Sequence, residues 1–201
     1  MSLPFRRSKQ SQTLETIVLA PASRWRRALL LAGRLELIIV QRIVPLARYR
    51  SVRFTTNSIN LLGNGWVYVP LAAAIFFAQI RHPVAVLQAA LLSTLIGHLF
   101  YRALKHRVAR PRPFDRDPAL QSLSKVLDKY SFPSGHCMTL TTALVPIAHA
   151  APATVPLAVG ALALLALCRL IAAHHYPSDV LAGIGLGAAI ALPVSAWLMP
   201  A

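Results

Sequence analysis

The chain has 201 residues, 56% of them hydrophobic, and a formal net charge of +15 from 21 Lys+Arg against 6 Asp+Glu. Mean hydropathy is +0.55 and the sequence pI is about 11.4. The apolar excess, gathered in long runs, excludes a disordered chain and argues against a soluble enzyme. Two cysteines, Cys137 and Cys168, exclude a disulfide framework and a Cys-rich zinc module.

Basic residues open the chain: 1–53 carry eleven of the Lys/Arg. Within that stretch, 28–46 is apolar but interrupted by Arg34, Glu36 and Arg42. A charge at the centre of a spanning helix costs about 2.5–3.5 kcal/mol. Arg27, Arg34 and Gln41 fall on one helical face, so the segment reads as an amphipathic helix in the membrane interface, with a first crossing as the alternative. No clean signal peptide precedes it. Five apolar runs follow, at about 65–80, 83–101, 136–150, 154–173 and 179–199, each near the roughly 20 residues that cross a bilayer. The last holds Gly183, Gly185 and Gly187, spaced for close helix packing in lipid. The sequence therefore predicts an all-α, polytopic membrane helix bundle with five or six transmembrane helices. It divides into a basic arm over 1–58 and a membrane-embedded domain over 59–201.

A second basic cluster, eight Lys/Arg over 102–129, follows the second run. With so apolar a chain, anionic lipid or phosphate is the expected partner, not nucleic acid. The loop reads Lys105 through Arg112-Pro113. Pro133-Ser134-Gly135-His136 stands directly before the third run. Arg169 ends the fourth, and His174-His175 with Asp179 opens the fifth. Following the chain through the bilayer brings all three motifs to one membrane face. Arg offers a planar donor fork that matches phosphate oxygens. Ser134 and Gly135 sit at a helix start, where free N–H groups and the helix dipole favour an anion. Imidazole beside such a site can act as nucleophile or acid. Asp179, four residues after His175, is within helical reach to orient the ring. The parts together describe phosphoryl transfer by positioning and charge stabilisation.

The pattern Lys-x6-Arg-Pro, Pro-Ser-Gly-His and Arg-x5-His-x3-Asp resembles the type 2 phosphatidic acid phosphatases over about residues 60–199. These are integral-membrane lipid phosphate phosphatases that share an active site with vanadium haloperoxidases. The resemblance implies that His175 forms a phosphohistidine, His136 protonates the leaving alcohol and Asp179 orients His175. It implies that Lys105, Arg112, Ser134, Gly135 and Arg169 cradle the phosphate, with no metal and no cofactor. The expected substrate is a membrane lipid phosphate or diphosphate: phosphatidic acid, phosphatidylglycerol phosphate or a polyprenyl phosphate. A multi-pass protein of a bacterial inner membrane follows. The alternatives are a non-catalytic lipid-binding or lipid-moving protein and a vanadate-dependent haloperoxidase. One departure is Cys168 before Arg169, where the family usually has Ser. Arg110, His106 and Arg107 are expected to help bind the headgroup, and His98 to make a helix-packing hydrogen bond.

Overall fold

Proline and left-handed residues mark where each apolar run starts and stops. The computed structural model describes residues 24–77 and 82–200, the side chains of 24–32 excepted. The basic arm before residue 24 lies outside the described residues. Helix α1 (Arg24–Ile43) begins in one unit, which ends at Leu35, and passes into a second, Glu36–Ala201, that holds everything described below. A 3-10 turn, Val44–Arg48, leads to α2 (Arg50–Leu61). A wide turn, Leu62–Trp66, separates α2 from α3 (Tyr68–Phe77). Gly65 there has φ of 126°, a backbone state that L side chains rarely adopt, and the two arms bend by 72°. The run expected at 65–80 is therefore the second arm of a broken helix, and 78–80 lie outside the described residues.

Helix α4 (Pro83–Val108) has 26 residues, about 39 Å at 1.5 Å per residue. Pro83 suits its first turn, and Ala109, at φ 46°, ends it before Pro111 and Pro113. A single helical turn, Pro113–Arg116, follows. Helices α5 (Gly135–Ala150), α6 (Val155–Ile171) and α7 (Pro177–Leu198) complete the bundle. Asp179 ties down the start of α7 by accepting the Tyr176 N–H at 2.8 Å.

The described residues contain no strand. Three helices are long and apolar enough to cross a membrane, or four if the bent pair forms one span. The further crossings expected from the sequence would fall to α5, whose 16 residues are short of about 20, and to α1, which carries charge. Helix α5 packs on α4, α6 and α7, and α4 also on α7. Glycine makes the α5–α7 approach possible. A Cβ on Gly183 would collide with the Ser134 carbonyl oxygen, and one on Gly187 would stand 2.7 Å from Thr141 Cβ. A Cβ on Gly185 would meet nothing within 4 Å. Outward faces are apolar: Leu91, Leu95 and Leu99 on α4, Leu157 on α6, Leu181 and Trp197 on α7. Polar groups inside and hydrocarbon outside suit a lipid solvent.

Candidate active site

The three motifs meet because α4 ends, α5 begins, and α6 passes into α7 at the same level of the bundle. Lys105, Arg112, Gly135, His136, Arg169 and His175 all line one cavity of about 330 Å³. Ser134 and Asp179 are fully buried beside it. Ser134 N–H donates to the Asp179 carbonyl at 2.9 Å, tying the second motif to the third. The Ser134 hydroxyl has no partner among the described residues.

His175 is buried, and its Nε2 lies 3.3 Å from Arg169 Nη2. A guanidinium only donates, so Nε2 is the acceptor and the ring proton belongs on Nδ1. That nitrogen faces Asp179 Oδ2 at 3.7 Å, close but beyond hydrogen-bond length. Burial, and then the charges of Arg169, Arg112 and Lys105, push His175 well below the ordinary imidazole pKa. The ring is thus neutral, with a lone pair aimed into a cationic cavity.

His136, at the start of α5, places Nε2 2.9 Å from Asn64 Oδ1. The amide oxygen accepts, so this nitrogen carries a proton. Asn64 reaches it because the chain breaks at Gly65. Gly63 lies against the ring, where a Cβ would come within 2.7 Å of Cδ2. Arg169 Nη1 donates to Asn60 Oδ1 at 2.8 Å, while its Nε, also buried, has no partner among the described residues. Asn60 and Asn64 escaped the sequence reading. They follow Thr55, Thr56, Asn57 and Ser58 in a polar stretch, and no spacing singles them out.

Two anions were also missed. Asp128, in the loop before α5, accepts from Lys105 Nζ at 2.8 Å and Arg112 Nη2 at 2.6 Å through Oδ1. Its Oδ2 accepts from Tyr101 Oη at 2.6 Å. Burial pushes Asp128 up, but the hydrogen bonds from Lys105 and Tyr101 with the charges of Lys105 and Arg112 hold it below the usual carboxylate range. Glu36, on α1, accepts from Arg110 Nη2 at 2.6 Å and from the Ser178 N–H at 2.7 Å.

Arg110 corrects an expectation. It does not line the cavity. Its Nη1 donates to Asp179 Oδ1 at 2.8 Å and to Ser178 Oγ at 2.7 Å, and its guanidinium lies over the Tyr176 ring. With donors spent on two carboxylates, it is a structural clamp and not a headgroup ligand. His174 points elsewhere as well. Its Nε2 stands 2.8 Å from Ser122 Oγ, and burial followed by the Arg169 and Arg112 charges lowers its pKa to about 3. His98 lies 3.4 Å from Thr139 Oγ1, as expected of a packing contact, but also lines the cavity. Cys168 and Cys137 are buried.

Residues 86–200, more than half of the chain, match the PAP2 superfamily, and the chain belongs to it. It is a phosphatase of that family built as a membrane helix bundle. It is 32% identical over 126 residues to decaprenylphosphoryl-5-phosphoribose phosphatase of Mycobacterium tuberculosis, covering 63% of this chain and 67% of that protein. Two crystal structures share its fold. The PAP2-type phosphatidylglycerolphosphate phosphatase of Bacillus subtilis superposes with TM-score 0.64 at 23% identity, covering 83% of this chain and 85% of that one. Aquifex aeolicus LpxE gives TM-score 0.68 at 22% identity, covering 80% and 94%.

Proposed function

We propose that this phosphatase releases inorganic phosphate from a membrane lipid phosphate or diphosphate through a phosphohistidine on His175. The observation that carries the reading is one cavity holding three buried or near-buried cations, a neutral histidine with its lone pair inward and a second histidine bearing a proton. Lys105, Arg112 and Arg169 bind the phosphate oxygens, and the Gly135 end of α5 faces them with free N–H groups. His175 Nε2 attacks phosphorus, an N–P bond forms, and the P–O bond to the lipid breaks. His136, made an imidazolium by a second proton taken up with the phosphate dianion, gives one proton to the departing oxygen and is left neutral. Water then attacks phosphorus, the N–P bond breaks, and His136 takes the water's proton, which restores both rings. Asp179 stabilises the positive charge that grows on His175 during attack. The 3.7 Å gap to Nδ1 shortens as that charge develops.

The lipid is supported by the surroundings of the cavity. Apolar grooves border it on both sides of Tyr68, one lined by Leu140 and Leu164, the other by Leu71, Leu87 and Ile147. The curated relative is a decaprenylphosphoryl-5-phosphoribose phosphatase, which supports adding a polyprenyl phosphosugar to phosphatidic acid and phosphatidylglycerol phosphate as candidate substrates. The relatives are bacterial, consistent with placement in a bacterial inner membrane. The deciding experiment is phosphate release in detergent with EDTA present, from those lipids and from a polyprenyl phosphate and diphosphate. Wild type should release phosphate and His175→Ala should lose at least about 10³-fold. A folded wild type that releases phosphate from none of them overturns the reading.

A further inference from the structure

The cations that must receive phosphate are already occupied. Lys105 has three N–H donors, and two are spent on Tyr101 Oη at 2.6 Å and Asp128 Oδ1 at 2.8 Å. Arg112 has five, and it donates to the His174 carbonyl, the Asp128 carbonyl and Asp128 Oδ1. Each therefore has few donors left. Arg169 differs, because its partners are the neutral Asn60 and His175 and its Nε has none among the described residues.

We infer that the Asp128 carboxylate occupies the phosphate-binding cations between turnovers and exchanges with substrate and product phosphate. The inference rests on the phosphatase reading above. Its two oxygens bridge Lys105, Arg112 and Tyr101, much as two phosphate oxygens would. Phosphate carries more charge and a third oxygen, which reaches toward Arg169 Nε, so an incoming ester displaces the carboxylate. After hydrolysis the carboxylate returns and competes with inorganic phosphate for the same donors. That competition opposes product retention in a site built from buried cations. The geometry permits the motion. The Asp128 side chain is 34% exposed, against 6% for Lys105 and 2% for Arg112. The backbone carbonyl of Asp128 holds Arg112 by its own bonds, so the guanidinium stays in place when the carboxylate leaves. Asp128 is thus a positioning residue that sets phosphate affinity through Lys105 and Arg112.

The test is direct calorimetric binding of inorganic phosphate and of orthovanadate to the detergent-purified full chain. Wild type is compared with Asp128→Asn and Asp128→Glu. Asp128→Asn should bind both anions roughly tenfold tighter, well short of a full like-charge penalty because the side chain is partly solvated. Asp128→Glu, which keeps the charge, should bind like wild type. Unchanged or weaker binding by Asp128→Asn overturns the proposal, since a purely structural carboxylate would misplace the cations when removed. Tightening in both variants overturns it too, because the effect would not follow charge. No binding by any of the three removes the anion site and the proposal with it. Turnover of wild type on lipid phosphates, measured in the same preparation, reports separately on the phosphatase reading.

Discussion

Replacing Arg110 by Ala should slow turnover without touching the phosphate. Arg110 bridges Asp179 at 2.8 Å and Glu36 at 2.6 Å, and neither carboxylate lines the cavity. Removing one partner of a buried ion pair costs about 3–5 kcal/mol. The Arg110 side chain is 20% exposed, so the lower figure, about 3 kcal/mol, is appropriate. If most of it falls on the orientation of Asp179 in the reacting state, kcat drops about 100-fold; if half goes to overall stability, about tenfold. KM should change little, because the substrate-facing cations keep their partners. The assay is phosphate release by the four members of a double-mutant cycle with Asp179→Asn. Since Arg110 acts through Asp179, its removal from the Asp179→Asn protein should cost less than about threefold further. Arg110→Lys, which keeps charge but loses the fork, should recover part of the activity. A full, additive loss in the Asp179→Asn background would refute the clamp, and so would wild-type kcat in Arg110→Ala.

Three further outcomes follow from the geometry. Gly183→Ala should destabilise by about 1–3 kcal/mol and reduce activity, as overpacking against a backbone carbonyl does, whereas Gly185→Ala should leave thermal stability in detergent unchanged. A loss at Gly185 equal to that at Gly183 would refute the α5–α7 contact. His136→Ala should lose about 10²–10⁴ in kcat on lipid phosphates but far less on a phosphate ester with an acidic phenol leaving group, which departs unprotonated. An equal loss on both would remove His136 as the proton donor. Thermal stability should fall as pH drops below about 6.5. His174, lowered to about 3, and His175, held well below the ordinary imidazole value by burial and neighbouring cations, stay neutral when folded. The unfolded chain takes up those protons, so each group contributes a slope approaching about 1.4 kcal/mol per pH unit below the unfolded pKa. A thermal midpoint that rises from pH 7 to pH 5 would contradict the buried neutral state.

The three motifs that line the candidate site were legible in the sequence because they depend on short spacings at helix ends. Gly135 and His136 open α5, and Asp179 follows His175 by four residues, so local geometry fixes each relation. Alternating crossings of the bilayer then bring the motifs to one face. What stayed hidden depends on contacts between distant segments. Glu36 lies 142 residues from Ser178 in the chain and 74 from Arg110, and nothing in either neighbourhood announces the other. Arg110, seen only in its basic loop, reads as one more headgroup cation. The break at Gly65 was visible as Gly63-Asn64-Gly65. Hydropathy alone does not distinguish a bent apolar stretch from a straight one, so a span was read from residue 65 onward and the turn before it, which holds His136, was passed over.

The scarcity of acid explains how a site with so much positive charge stays ordered. The chain has 6 Asp+Glu against 21 Lys+Arg. Glu15 lies outside the described residues, the Asp117 bond to Gln41 is exposed, and the other four carboxylates are bonded at or beside the site. Asp128 holds Lys105 and Arg112, Asp179 and Glu36 hold Arg110, Asp115 accepts the Arg112 N–H, and Asp117 accepts from Gln41 on α1. Arg169 is the exception: it is 4% exposed, yet it bonds to a neutral amide and a neutral imidazole. A buried cation without a counter-ion is expensive. The carboxylates therefore set the positions of Arg110, Arg112 and Lys105, while the charge of Arg169 awaits an anion from outside the chain. In the proposed reaction that anion is the substrate phosphate, and the nitrogen already beside Arg169 is the one on His175 that carries the lone pair.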